Sequence, residues 1–169
     1  MKQRMLSWNG QFVLGACLAS LLMLVGAHNR AAAQDGQGKY ITESTVRLIK
    51  LVNAANKAGY ALQDNSFSIG GGWLKQGKDN WVGLYTVQLT AGKSYRFLAA
   101  GDADAKDVDL QIVDAKDVNK VFKEDVDTAA NAVVDFTPET TGRYLVRIRL
   151  YDSANNLPCV CLSTVMAKN

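Results

Sequence analysis

Two cysteines one residue apart, Cys159-Val160-Cys161, are the first candidates for chemistry in this chain. A strand points residues i and i+2 to one face, so the two thiols are neighbours. Their Cα atoms lie roughly 6.5 Å apart in a regular strand, at the upper edge of what a disulfide spans. A mutual bond would be strained and easily reduced. Four arrangements fit the spacing: packed thiols, a strained disulfide, an intermolecular bridge, or a soft-metal site aided by Met166. Carboxylates are the second candidate. Asp102, Asp104, Asp107 and Asp109 fall within eight residues, and over 102–127 nine acids face four lysines. Calcium takes six to eight oxygen ligands, which such a cluster can begin to supply. Asp102-x-Asp104 starts like a calcium loop, but the glycine and distal glutamate of an EF-hand are missing. The ordinary alternative is that aspartates start turns and keep strand ends soluble. Trp73, Trp81 and Tyr85 could form a sugar-binding platform, although strand aromatics are more often core. Gly70-Gly71-Gly72 lacks the Gly-Lys-Ser/Thr ending of a phosphate loop, so a bend or bulge is expected there.

The first 33 residues change what chemistry the rest can do. Lys2 and Arg4 form a positive start, Phe12 to Ala27 is apolar, and Ala31-Ala32-Ala33 offers small residues to a signal peptidase. This is the three-part pattern of a secretory signal, with Gln34 as the first mature residue. The apolar run is 16 residues and contains Gly15, Ser20 and Gly26, short of the roughly 20 apolar residues of a span. A permanent anchor is one alternative. Lipidation at Cys17 is another, because Leu14-Gly15-Ala16-Cys17 resembles a lipobox. His28 is the sole histidine and lies in the leader. Its removal takes away Ser-His-Asp and Cys-His catalysis, histidine-ligated zinc and the usual base near neutral pH. Removing the leader also leaves 16 basic and 16 acidic residues. A neutral chain has no general pull toward nucleic acid or anionic membrane.

Residues 34–41 are polar and glycine-bearing and are expected to be a flexible N-terminus. A helix is expected over 42–59, capped by Thr42, favoured at its start by Glu43 and closed by Gly59. Leu48, Leu51, Val52 and Ala55 recur on one face of it, the stripe that docks a helix on a domain. Tyr60 to Lys78 has no clear period. From Trp81 the period becomes two. Tyr85, Val87 and Leu89, then a turn at Ala91-Gly92-Lys93, then Tyr95, Phe97 and Ala99 read as a hairpin. Further strands follow at Val108–Ile112, Val118–Phe122, Ala132–Phe136, Tyr144–Leu150 and Leu157–Met166. Strands every 12 or so residues with no helix between them argue for an antiparallel sandwich over 60–169.

Tyr85-Thr-Val-Gln-Leu-Thr-Ala-Gly-Lys-Ser-Tyr95, Asp107-Val-Asp-Leu110, Phe136-Thr-Pro and Thr141-Gly-Arg-Tyr144 occur in that order. This order and spacing resemble the bacterial pre-peptidase C-terminal domain family, over about half of the chain. The resemblance implies a mainly β, jelly-roll-like β-sandwich, secreted beside a protease or another exported module. Such domains are accessory: they bind, aid secretion or are removed in maturation. No peptidase is expected ahead of the domain. The expected function is an exported, non-catalytic accessory or binding module, secreted or periplasmic, meeting a protein or a cell-surface polymer. No cofactor is required, and calcium is the one ion the carboxylates suggest. No stable membrane span is expected after processing. The alternative functions are a small periplasmic redox or metal-handling protein using Cys159 and Cys161, and an enzyme using carboxylates of the acidic cluster.

Overall fold

A computed structural model describes residues 36–63 and 67–169. The leader, with Cys17, His28 and the Ala33–Gln34 junction, lies outside the described residues. Lys39–Asn169 form one compact unit. Among the described residues, nine strands follow a helix. Helix α1 covers residues 36–57. The strands are β1 Tyr60–Ala61, β2 Ile69–Leu74, β3 Val82–Leu89, β4 Tyr95–Gly101, β5 Ala105–Asp114, β6 Val121–Asp125, β7 Asn131–Phe136, β8 Gly142–Ser153 and β9 Cys159–Lys168. They make two antiparallel sheets. One has the order β1-β9-β4-β7, with β2 also on β9, and the other β3-β8-β5-β6. Among the described residues the fold is a β-sandwich with one α-helix. Among the described residues no helix is long and apolar enough to cross a membrane.

The alternation in the sequence becomes the two faces of each strand. Tyr144, Val146, Ile148 and Leu150 of β8 are buried between the sheets with Val108, Leu110 and Ile112 of β5. From the other sheet come Phe97, Ala99, Ala132, Val134 and Val165. Strand β4 is buried on both faces. Its Leu98 and Ala100 meet Leu48 and Ala55 of α1, together with Tyr60 and Met166. That second apolar cluster is where the helix lies on the sheet.

Several expectations need correction. The helix runs through 36–41, which were expected to be a flexible terminus, and Thr42 lies inside it. Lys39 pairs with Glu43 one turn on, at 3.8 Å, and Tyr40 packs edge-on against Trp73, with ring centroids 5.3 Å apart. These contacts carry the helix past the sequence's apparent start. Glu43 accepts the Ala103 N–H instead of serving the helix start. Gly59 does hold the left-handed conformation, with φ +81°. Tyr60 to Lys78 contains two strands. The three glycines lie in β2, in unbroken register with β9. Neighbours crowd two of them: a Cβ on Gly70 would lie 2.6 Å from the Tyr85 ring and one on Gly71 2.4 Å from the Cys161 carbonyl oxygen, whereas Gly72 faces open space. Strands β3 and β4 are not a hairpin. β3 pairs with β8, and β4 pairs with β7 and β9. The turn between them is held by the 137–141 loop, through Gly92 N–H to the Pro138 carbonyl and Ala91 N–H to the Thr141 hydroxyl. The strand expected at Val118 begins at Val121, because Asp117 accepts the Asn119 N–H and turns the chain there.

Asp102 joins these parts. It is fully buried, and its carboxylate accepts Val160 N–H at 2.6 Å and Asp104 N–H at 3.0 Å. Arg47 of α1 donates to its backbone carbonyl and to that of Gly101. Asp102→Ala leaves the buried Val160 donor without this acceptor, which costs about 2–4 kcal/mol. Chemical denaturation should show that loss as a lower midpoint with an unchanged slope, and a wild-type midpoint would contradict this role.

Candidate functional site

The cysteines come first. Strand β9 places Cys159 and Cys161 on the face turned to the inter-sheet core, and both are free and fully buried. No disulfide joins them. Burial, with Asp102 nearby, pushes the Cys159 thiol up to about 12. Cys161 is raised as well, by burial and by Cys159. Burial therefore disfavours the thiolate, the form that acts as nucleophile and metal ligand. Met166 lies on the opposite face of β9, against the helix, so it cannot complete a soft-metal set with them.

The four aspartates are divided among separate tasks. Asp102 serves the backbone as described. Asp104 is half-buried in the turn that follows, and its carbonyl accepts the Ala154 N–H. Asp109 is 1% exposed and pairs with Arg149 at 2.5 Å. The Arg149 guanidinium also lies 4.5 Å from the Trp81 ring centroid and 4.9 Å from that of Tyr151. Asp107 is buried at the start of β5, and burial, reinforced by Asp109, raises its carboxyl above the usual range. Among the described residues, no group of three or more histidine, cysteine or carboxylate side chains is placed to hold a metal ion.

The three aromatics do not share a platform. Trp73 lies beside α1 on one sheet, Trp81 lies under Arg147 and Arg149, and Tyr85 packs against the core. The Tyr85 hydroxyl meets the Ser163 hydroxyl at 3.2 Å. Burial raises its pKa.

The structure instead gathers a different aromatic group. Phe122 of β6, Phe136 of β7 and Tyr144 of β8 stand with ring centroids 5.2 to 6.0 Å apart. They line a cavity of about 880 Å³ at one end of the sandwich. Its rim carries Thr86, Gln88, Lys116, Glu139 and Arg143. Tyr144 is locked by donating its hydroxyl to the Thr140 carbonyl at 2.8 Å. Arg143 reaches across the sheet to the Thr86 hydroxyl at 2.6 Å. Lys120 stands 5.0 Å from the centre of the Phe122 ring and 4.0 Å from Asp114. The group joins three consecutive strands that belong to two different sheets, so no local spacing marks it. The apolar alternation around Phe136 and Tyr144 was the one available signal, and it read as core.

No protein-family model matches the chain. No curated protein matches it either. Solved structures do show likeness. The pre-peptidase C-terminal domain of a collagenase from Bacillus anthracis is similar over 59% of this chain and 87% of that one, at 14% identity and TM-score 0.43. A periplasmic inhibitor of g-type lysozyme from Aeromonas hydrophila is similar over 60% and 83%, at 13% identity and TM-score 0.40. Accessory secretory proteins of Streptococcus pneumoniae are similar over 66% and 93%, at 10% identity and TM-score 0.27. Likeness at this level assigns neither family nor activity.

Two outcomes follow from these burials. In the native protein Cys159 and Cys161 should resist alkylation at neutral pH, and both should react after denaturation without reductant. Rapid native labelling would put them outside the core. For Asp107 the sign is set by linkage. A carboxyl whose folded pKa is raised leaves the folded state holding the extra proton, so stability is lost as pH climbs from the unfolded value of about 4 through the folded one. Asp107→Asn removes that loss. The stability difference between variant and wild type should therefore grow in the variant's favour over that window, and parallel pH profiles would contradict it.

Proposed function

We propose that this chain is an exported, non-catalytic binding or accessory module that contacts a protein or a cell-surface polymer. The observation carrying this reading is the open cavity floored by Phe122, Phe136 and Tyr144. Rings in mutual edge contact give a fixed apolar surface. Hydroxyl, amide, guanidinium and carboxylate groups around them give directional hydrogen bonds, the mixture that recognises a ligand. The three-part leader supports export. The order of motifs from Tyr85 to Tyr144 supports a pre-peptidase C-terminal kind of domain. Burial of both free thiols in the core favours this reading over a redox or metal function.

A photo-crosslinker tests this at Gln88 or Glu139 on the rim, with Lys50 on the exposed face of α1 as control. Exported wild-type chain should begin at Gln34. Incubated with the cell-envelope fraction, the rim positions should give discrete adducts that Lys50 does not. Arg143→Ala should weaken them. Equal labelling from Lys50 would overturn the assignment of the cavity as the contact site.

A further inference from the structure

A second cavity, of about 740 Å³, lies at the other end of β5 and β8, and shares no lining residue with the first. Asp107 and Asp152 line it and stand directly opposite each other across the two strands. Like charges so placed destabilise a sheet. Two irregularities bracket the pair, with Lys106 the extra residue on β5 and Tyr151 the extra residue on β8. Bulges of this kind re-aim side chains and recur beside functional sites.

Asp107 is 5% exposed, and its Oδ1 has no hydrogen-bond partner. Among the described residues it is the one buried side-chain oxygen in that state. The Ala129 backbone hydrogen-bonds the carboxyl. Asp109, two residues along, shows the contrast, since Arg149 satisfies it. A buried acceptor left open beside a second carboxylate calls for a donor with positive charge.

The lining says which donor. A divalent cation such as calcium wants six to eight oxygens, and among the described residues no three histidine, cysteine or carboxylate side chains are grouped to begin such a shell. A primary ammonium needs acceptors for only three N–H groups. Asp107, Asp152 and the Thr128 hydroxyl on the same wall can supply them. Lys75 and Lys78 also line the cavity. Two cations and two carboxylates lining one cavity suit a ligand that is positive at one end and negative at the other. Lys78 is positioned over the Tyr151 ring, 5.8 Å from its centre.

We propose that this cavity binds a zwitterionic primary amine of the amino-acid or short-peptide class. The ammonium lies against Asp107 and Asp152, and the carboxylate faces Lys75 and Lys78. The site is independent of the aromatic cavity, so either assignment can fail alone.

The test is an amide NMR titration of the chain from Gln34 onward with 6-aminohexanoate. Hexanoate, butylamine and calcium chloride serve as parallel arms. The zwitterion should shift the Asp107, Tyr151 and Asp152 amides at lower concentration than butylamine, while hexanoate and calcium leave them in place. Asp107→Asn and Asp152→Asn should each weaken binding about tenfold or more, as loss of a charge-assisted hydrogen bond does. Asp152 is only half-buried, so its variant carries the test if Asp107→Asn does not fold. Comparing glycine with triglycine then distinguishes a free amino acid from a peptide. Absence of shifts, equal response to calcium or hexanoate, unchanged affinity in the variants, or shifts confined to Thr86, Gln88 and Glu139 would each overturn the proposal.

Discussion

Asp102 has no exposed surface, and its carboxylate oxygens accept the N–H groups of Val160 and Asp104. Taking a carboxylate out of water costs several kcal/mol unless hydrogen bonds replace its hydration. Here the replacement comes from the backbone of two separate segments. Its own N–H returns a bond to the Val160 carbonyl at 2.9 Å. The end of β4, the approach to β5 and the start of β9 are thereby fixed to one another. The helix joins the same point, with Ser44 donating to the Ala100 carbonyl and Arg47 to those of Gly101 and Asp102. An acid that looks like half of a calcium site is thus the joint between the sheets and the helix.

The remaining charges follow the same rule of compensation. Arg149 is held by the Asp109 carboxylate, the Lys78 carbonyl and two aromatic rings. Gln111 donates to Glu124 at 2.7 Å beside it. That face of the sheet is therefore ordered by polar contacts rather than by burial against another layer. Asp107 breaks the rule, as its Oδ1 is left without a partner. The contrast between Asp109 and Asp107, neighbours on one face of one strand, is why the second is read as a binding group and the first as structure.

Strands β5 and β8 run the length of the sandwich and bring both cavities under one frame. Their middle is closed by Leu110, Ile112, Val146 and Ile148, all fully buried. At one end large rings replace aliphatic side chains. At the other, the register breaks around Asp107 and Asp152. Continuous packing in the middle gives rigidity, and polar, irregular ends give surfaces that can vary without loss of the core.

Period alone determined much of this protein. Tyr144 to Leu150 had to be a strand with one buried face, and Leu48 to Ala55 a helix with one apolar stripe, because burial follows the geometry of each element. The choice of a sandwich and seven of the nine described strands followed from that, while β1 and β2 did not. Partners did not follow. Tyr85 and Tyr95 sit on strands of different sheets, because strand alternation specifies a face and not a neighbour. The same limit hid the site. Phe122, Phe136 and Tyr144 meet only once β6, β7 and β8 converge, and Asp107 meets Asp152 only through the ladder between β5 and β8. The clustered aspartates illustrate the converse: closeness in sequence gave them no common site, since a turn separates Asp102 from β5, and Asp109, on the same face of β5 as Asp107, is taken by Arg149. Sequence set what each residue could do, and tertiary contact alone decided with whom.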